Sequence, residues 1–186
     1  MAEVKLRVAD VVVGDPAMVN YDESITRLAQ IMAERGVDYV LVTSREGKPI
    51  GMVTSGDLIS RVLAKGLNPD EVKAEEVMSS PLITVSPDES LTDALKKMVK
   101  FGVQHLVVIK QSKLIGVVQE REIVRVAPAL IDLLTEKEAL TPREAYRKEA
   151  LAGYCDSCGE WSDSLMLVDD QMLCEECRLE YGVGES

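Results

Sequence analysis

Residues 22–42 read DESITRLAQIMAERGVDYVLV, and residues 88–108 read DESLTDALKKMVKFGVQHLVV. Eight of these 21 aligned positions are identical, at an offset of 66. After a one-residue deletion the match resumes as Ile50-Gly51-Met52-Val53 against Ile115-Gly116-Val117-Val118. A unit of about 65 residues is therefore present twice, over roughly residues 8–130, and the fold is a duplicated one.

Both copies carry the same local pattern. Short extended segments come first, Ala17-Met18-Val19 and Leu82-Ile83-Thr84-Val85. Ile25, Leu28, Ala29 and Met32 in one copy, and Leu91, Ala94, Leu95, Met98 and Val99 in the other, fall at helical spacing. Each helix thus has one core face. Ser90 with Asp93 makes a capping-box-like start, and Gly36 and Gly102 are natural stops. Strands follow at Tyr39–Thr43 and Pro49–Val53, and again at His105–Ile109 and Leu114–Val118, before a second helix beginning at Asp57 and Glu122. The order strand-helix-strand-strand-helix predicts an α/β (α+β) architecture with helices covering apolar strands. The boundaries expected are 1–73 and 74–135 for the two repeats, 136–152 for a linker helix opened by Thr141-Pro142-Arg143-Glu144, and 153–186 for a cysteine-bearing tail.

Composition narrows the function. Aromatic residues make up only 4%, so the core must be aliphatic. No apolar run approaches a membrane span and no signal-peptide pattern opens the chain, which points to the cytoplasm and away from membranes. The net charge is −11, and the tail from 151 onward holds nine acids against one base, Arg178. That balance argues against a nucleic-acid partner held by bulk charge. The one histidine, His105, excludes mechanisms that need two. No paired acid–base, nucleophile–base or open metal constellation is visible, so a non-enzymatic protein is expected.

The two units resemble CBS domains, the regulatory modules named after cystathionine β-synthase. The resemblance rests on the capped DES-I/L helix, the Gly-Val segment leading into a strand, and the block Gly51-Met52-Val53-Thr54-Ser55-Gly56-Asp57, similar to the family's G-h-h-T/S-x-x-D signature. It implies a tandem pair, or Bateman module, that binds an adenine nucleotide or related adenosyl ligand. The residues themselves allow two readings. Gly51 lets a ligand approach the backbone, Thr54 offers a hydroxyl, and the Asp57 carboxylate can accept both hydroxyls of a ribose. Equally, Thr or Asp at a helix start is an N-cap that needs no ligand.

The second copy departs from the signature. Gln119 stands where the first has Thr54, and Glu122 where it has Asp57. Glu is a methylene longer and Gln bulkier, so the second site is expected to be weak, altered or empty. In the family, basic residues of one repeat often face phosphate bound at the other. By position His105 and Arg121 are candidates; the alternatives are a structural histidine and a solvated arginine. Val19, Asn20, Tyr21 and Val42 match the adenine pocket by position, and the apolar members also suit a core. A second apolar helix face, common in such modules, implies a homodimer.

Cys155-x₂-Cys158-x₁₅-Cys174-x₂-Cys177 is the spacing of a four-thiolate metal site. Leu165 to Leu173 reads as a hairpin turning at Asp169-Asp170, and Trp161 is expected to pack over it. So few residues bury little core, so metal must supply most of their folding energy. The tail resembles zinc ribbons and, in Cys155–Gly159, rubredoxin-like knuckles, which leaves Zn2+ or Fe open. The whole resembles archaeal CBS-ribbon proteins. It predicts a regulatory or sensor protein whose ribbon docks an unidentified protein partner. The rivals are an iron electron-transfer protein and a DNA-associated transcriptional regulator.

Overall fold

The computed structural model describes residues 6–126 and 151–181. The linker helix expected from 136, with its Thr141 start, lies outside the described residues except at Leu151 and Ala152, which are extended within a strand. The described residues form two compact units.

The first-repeat unit spans Pro16–Leu82 together with Ala152–Tyr154. Its elements are β1 (Met18–Asn20), α1 (Ile25–Arg35), β2 (Tyr39–Thr43) and β3 (Pro49–Thr54). A helical run follows in three pieces: α2 (Ser55–Asp57), a π-helical turn Leu58–Val62 and a 3-10 turn Leu63–Lys65. The strand order is β1-β2-β3. β1 runs parallel to β2 and β3 antiparallel to it, with Val19 opposite Val42 and Val42 opposite Gly51. β2 is buried along its whole length, as an apolar strand covered on both faces must be. Ser24 caps α1 by accepting the Arg27 N–H, and Gly36 ends it at φ 63°, a conformation that costs glycine nothing.

The second-repeat unit repeats this plan with β4 (Leu82–Val85), α4 (Leu91–Phe101), β5 (His105–Lys110), β6 (Lys113–Gln119) and α5 (Glu120–Val126). The turn between β5 and β6 holds Gln111 and Ser112 at φ 51° and 57°, a two-residue turn whose twist suits a hairpin. The second helix of each repeat starts earlier than expected, at Ser55 and Glu120, because the strand runs straight into it. Asp57 is thus the third residue of its helical turn.

The compact units divide the chain differently from the sequence repeat. The segment before the first repeat, with a 3-10 turn at Val8–Asp10, lies on β6: the Val13 N–H donates to Val117 O and the Val117 N–H to Val13 O, both at 3.0 Å. The segment before the second repeat, α3 (Ala74–Val77) and the residues after it, lies on β3. There the Met52 N–H donates to Ser79 O at 3.0 Å and the Ser79 N–H to Met52 O at 2.8 Å. Each leader therefore closes an edge strand of the other repeat's sheet.

The tail is built from β7 (Leu151–Tyr154), β8 (Trp161–Val168), β9 (Gln171–Leu173) and α6 (Glu175–Glu180). β8 and β9 pair antiparallel around Asp169 and Asp170, both at positive φ, which is the expected hairpin. The tail does not hold a core of its own. Leu151, Leu165, Leu173, Cys155, Cys174 and Cys177 belong to one buried cluster with Leu91, Leu95, Leu106 and Ile123 of the second repeat. The shortage of apolar side chains is solved by sharing. Trp161, expected over that core, is only half-buried at the start of β8. A leucine pair, Leu165 and Leu173, fills the place instead.

Close approach explains two glycines. A Cβ on Gly51 would run into the Met78 sulfur, and one on Gly116 into the Val13 carbonyl. A methionine end can swing aside, whereas a backbone carbonyl in a bridge cannot. Gly51→Ala is therefore expected to cost about 1 kcal/mol and Gly116→Ala about 3 kcal/mol, read as urea-unfolding midpoints of the full chain.

Candidate functional site

Two constellations stand out, one in each unit. In the first-repeat unit, β3 ends at Thr54, whose extended backbone (φ −105°, ψ 164°) makes it the N-cap of α2. The Asp57 N–H donates to Thr54 Oγ1 at 3.3 Å. In return Asp57 Oδ2 accepts the Thr54 N–H at 2.9 Å and the Thr54 hydroxyl at 2.7 Å. This is a complete capping box, so the capping reading of the pair holds in full. It also fixes the carboxylate at one place, with only 13% of the side chain exposed. Arg61, one turn on, lies with Nε 3.1 Å from Asp57 Oδ1. Sequence reading missed it, because an arginine four residues after an aspartate on a helix is an ordinary surface pair.

The other candidates of this repeat fall along the same sheet. Val19, Val42 and Gly51 form one row across β1, β2 and β3. Asn20 sits one residue on, where the Thr43 hydroxyl reaches Val19 O at 3.0 Å and Asn20 Oδ1 at 3.5 Å. Tyr21 follows the strand; its hydroxyl accepts from Arg45 Nε at 2.6 Å. Thr54 is three residues from Gly51 along β3, roughly 10 Å at the usual rise. Val19 and Val42 are buried, so both also serve the core.

In the second-repeat unit, His105 opens β5 opposite Gln119 of β6. Arg121 lies in the first turn of α5, its Nε 3.5 Å from Glu122 Oε1. Arg125 Nη1 donates to the same carboxylate at 3.1 Å. Glu122 thus turns toward two arginines. No capping bond joins Gln119 to it among the described residues. Gln119 is buried, and its Oε1 has no partner. Both departures from the first repeat's motif therefore change the structure.

The tail brings Cys155, Cys158, Cys174 and Cys177 together, with all four sulfurs within 4.8 Å of one another and none in a disulfide. Cys155 lies just before the turn closed by the Gly159 N–H donating to Cys155 O at 2.9 Å, with Gly159 at φ 73°. Cys174 is the N-cap of α6, which carries Cys177 one turn later. The sulfurs of Cys158 and Cys174 are 3.8 Å apart. The edge of a tetrahedron with metal–sulfur bonds of about 2.3 Å is also roughly 3.8 Å. Burial pushes the Cys155 thiol up. The backbone N–H groups of Cys158, Cys174 and Ser157 outweigh it and bring the thiol down to about 6. Ser157 favours the Cys177 thiolate, but burial and the neighbouring Cys174, Cys158 and Cys155 sulfurs push that thiol up to about 12. The four residues fit a soft, tetrahedral metal ion, which would cross-link two knuckles. Four protein ligands leave no open position for catalysis.

The comparisons with known proteins agree with the duplicated fold. The family model for the CBS domain matches residues 8–64 and 74–129. An uncharacterised protein of Methanopyrus kandleri is 36% identical over 173 residues, which is 90% of this chain and 86% of that protein. A conserved CBS-domain protein of Thermoplasma acidophilum superposes with a TM-score of 0.66 at 21% identity, covering 84% of each chain. A CBS-domain protein of Pyrobaculum aerophilum, solved in complex with AMP, superposes at 0.61 with 24% identity over 70% of this chain and 98% of its own. No described helix is long and apolar enough to cross a membrane.

The shared core sets an expectation for metal removal. Chelation under reducing conditions, or Cys155→Ser with Cys158→Ser, is expected to strip amide protection from β8, β9 and α6. It is expected to lower protection in α4 and β5 as well, while β2 and β3 keep theirs. Hydrogen exchange on metal-loaded and metal-free protein reads all three regions.

Proposed function

We propose a role for this chain, which belongs to the CBS-domain family: a non-catalytic, cytoplasmic sensor whose first repeat binds an adenine nucleotide or related adenosyl ligand. The observation that carries the reading is the fixed Thr54–Asp57 pair at the end of β3, beside the row Val19, Val42 and Gly51. A carboxylate held by its neighbour's hydroxyl and N–H is preorganised, so a ribose diol meets an acceptor whose direction is already set. Val19 and Val42 are the apolar members of that row and suit the edge of a base, with Asn20 and Tyr21 beyond them, while Met78 covers Gly51. His105 and Arg121 are assigned to the ligand's phosphate by the family resemblance alone. The AMP-bound relative of the same fold supports this ligand class.

The tail is read as a structural ribbon holding Zn2+. Iron in the same four thiolates is the alternative, and the visible spectrum of purified protein separates them: colourless for zinc, strongly absorbing for ferric iron. Exposed Ile59, Leu63 and Leu67 leave one side of the first repeat's helical run apolar, which supports a homodimer or a protein partner there. The tail's acidic surface suits a basic protein partner and works against nucleic acid.

The asymmetry of the two repeats supplies the test. Asp57→Ala is expected to weaken AMP binding by more than about tenfold, the loss of charge-assisted hydrogen bonds. Glu122→Ala is expected to change it by less than about threefold, since that carboxylate is already engaged by Arg121 and Arg125. Titration calorimetry with AMP, ADP, ATP and S-adenosylmethionine on both variants measures it. Equal losses would remove the first repeat's special role.

A further inference from the structure

Arg61 is the best-connected side chain near the candidate ligand site. Its Nε lies 3.1 Å from Asp57 Oδ1. Nη1 donates to Val77 O at 2.6 Å, and Nη2 to Ser79 Oγ at 3.2 Å. One rigid fork therefore ties the Asp57 carboxylate to the segment that leads from the first repeat into the second. That segment is also pinned to β3, through the Ser79–Met52 bridge and the contact of Met78 with Gly51. Arg61 comes from the π-helical turn Leu58–Val62. Such turns are rare and gather at functional positions.

Acceptor counting then limits what can happen at Asp57. A carboxylate offers about four acceptor sites. Three are in use: two by Thr54 on Oδ2 and one by Arg61 on Oδ1. A cis-diol donates two hydrogen bonds, so one present donor must leave. Thr54 is held by the capping box. The arginine side chain is 41% exposed, its ion pair is screened, and water can receive it. Arg61 is the partner that yields.

We propose that Arg61 is a positioning residue that competes with the ligand's diol for Asp57, so that occupancy of the site loosens its clamp on Val77–Ser79. This rests on the nucleotide reading given above. Information that the site is filled then reaches the connector between the repeats through one guanidinium. A ligand lacking the 2′-hydroxyl fills the one spare acceptor site and leaves the clamp closed.

The experiment compares wild type, Arg61→Met and Arg61→Lys in the full chain. Binding of AMP and 2′-deoxy-AMP is measured by calorimetry, and hydrogen exchange is followed at the Ser79 amide. In wild type, AMP is expected to speed Ser79 exchange several-fold and 2′-deoxy-AMP to leave it unchanged. Arg61→Met is expected to bind AMP up to about fivefold more tightly, the reach of a partly exposed ion pair. Its Ser79 amide should exchange faster without ligand and stop responding to AMP. Lysine keeps the charge but not the fork, so Arg61→Lys should show wild-type affinity with fast ligand-free exchange. Weaker AMP binding in Arg61→Met would make Arg61 a ligand contact and overturn the competition. Unchanged ligand-free exchange at Ser79 in both variants would overturn the clamp, as would equal responses to the two nucleotides in wild type. If wild type binds neither nucleotide, the nucleotide reading falls, and the ligand-free comparison still decides whether the clamp exists.

Discussion

An open sheet edge is a liability, and this fold covers two of its edges with borrowed chain. β3 and β6 each present one unpaired side, the exposed-ladder problem of any open sheet. A single antiparallel bridge covers each one, Ser79 on Met52 and Val13 on Val117. Both bridges bring another segment within contact of a glycine, Gly51 or Gly116, where no Cβ fits. The rest follows from that exchange. Because residues 74–79 lie on β3, Arg61 can reach Val77 and Ser79. Because residues 8–13 lie on β6, Val8 enters the second repeat's core. The repeat as written in the sequence is not the unit as folded, since each copy donates its leader to the other.

Local physics made much of this legible. The capped helix starts at Ser24 and Ser90, the stops at Gly36 and Gly102, the strand-helix-strand-strand order of each repeat and the four-cysteine cluster all depend on residues near in sequence or on a repeated pattern. The features that were not legible are non-local. Nothing near Arg61 announces a carbonyl 16 residues away in sequence. The leader exchange leaves the repeat pattern unchanged, because the two copies swap equivalent pieces. Trp161 is half-buried at the start of β8, and leucines of the ribbon and the second repeat fill the buried cluster. The helix starts at Ser55 and Glu120 were hidden because a strand that runs directly into a helix leaves no loop residues to mark the change.

The two copies also show how a motif is lost without losing the fold. In the first, Thr54 and Asp57 satisfy one another, and the helix start is capped. In the second, the longer Glu122 leaves the cap and pairs with Arg121 and Arg125 at the surface, while Gln119 stays buried. An unpartnered buried amide oxygen is costly. The second repeat's sheet is otherwise complete: Val117, Val118 and Ile123 are fully buried and the leader bridge is made. The apolar rows are present in both copies, and the mutually capped polar pair is present in one.

The tail extends the same logic of borrowing to metal. A ribbon of this size has three buried leucines beyond its cysteines, Leu151, Leu165 and Leu173, too little to offset the entropy of ordering it. It recovers the deficit from two sources at once. Three of its four cysteines are buried, and they belong to the apolar cluster that the second repeat builds around Leu95, Leu106 and Ile123. The ligand set and the hydrophobic core are therefore one assembly. Cys158, the exposed member, is the exception. A metal held by these four cysteines would cross-link more than its own two knuckles, because three of them belong to the second repeat's buried cluster. In that arrangement the capped Thr54–Asp57 pair belongs to the first repeat, and the second supplies the frame that anchors the ribbon.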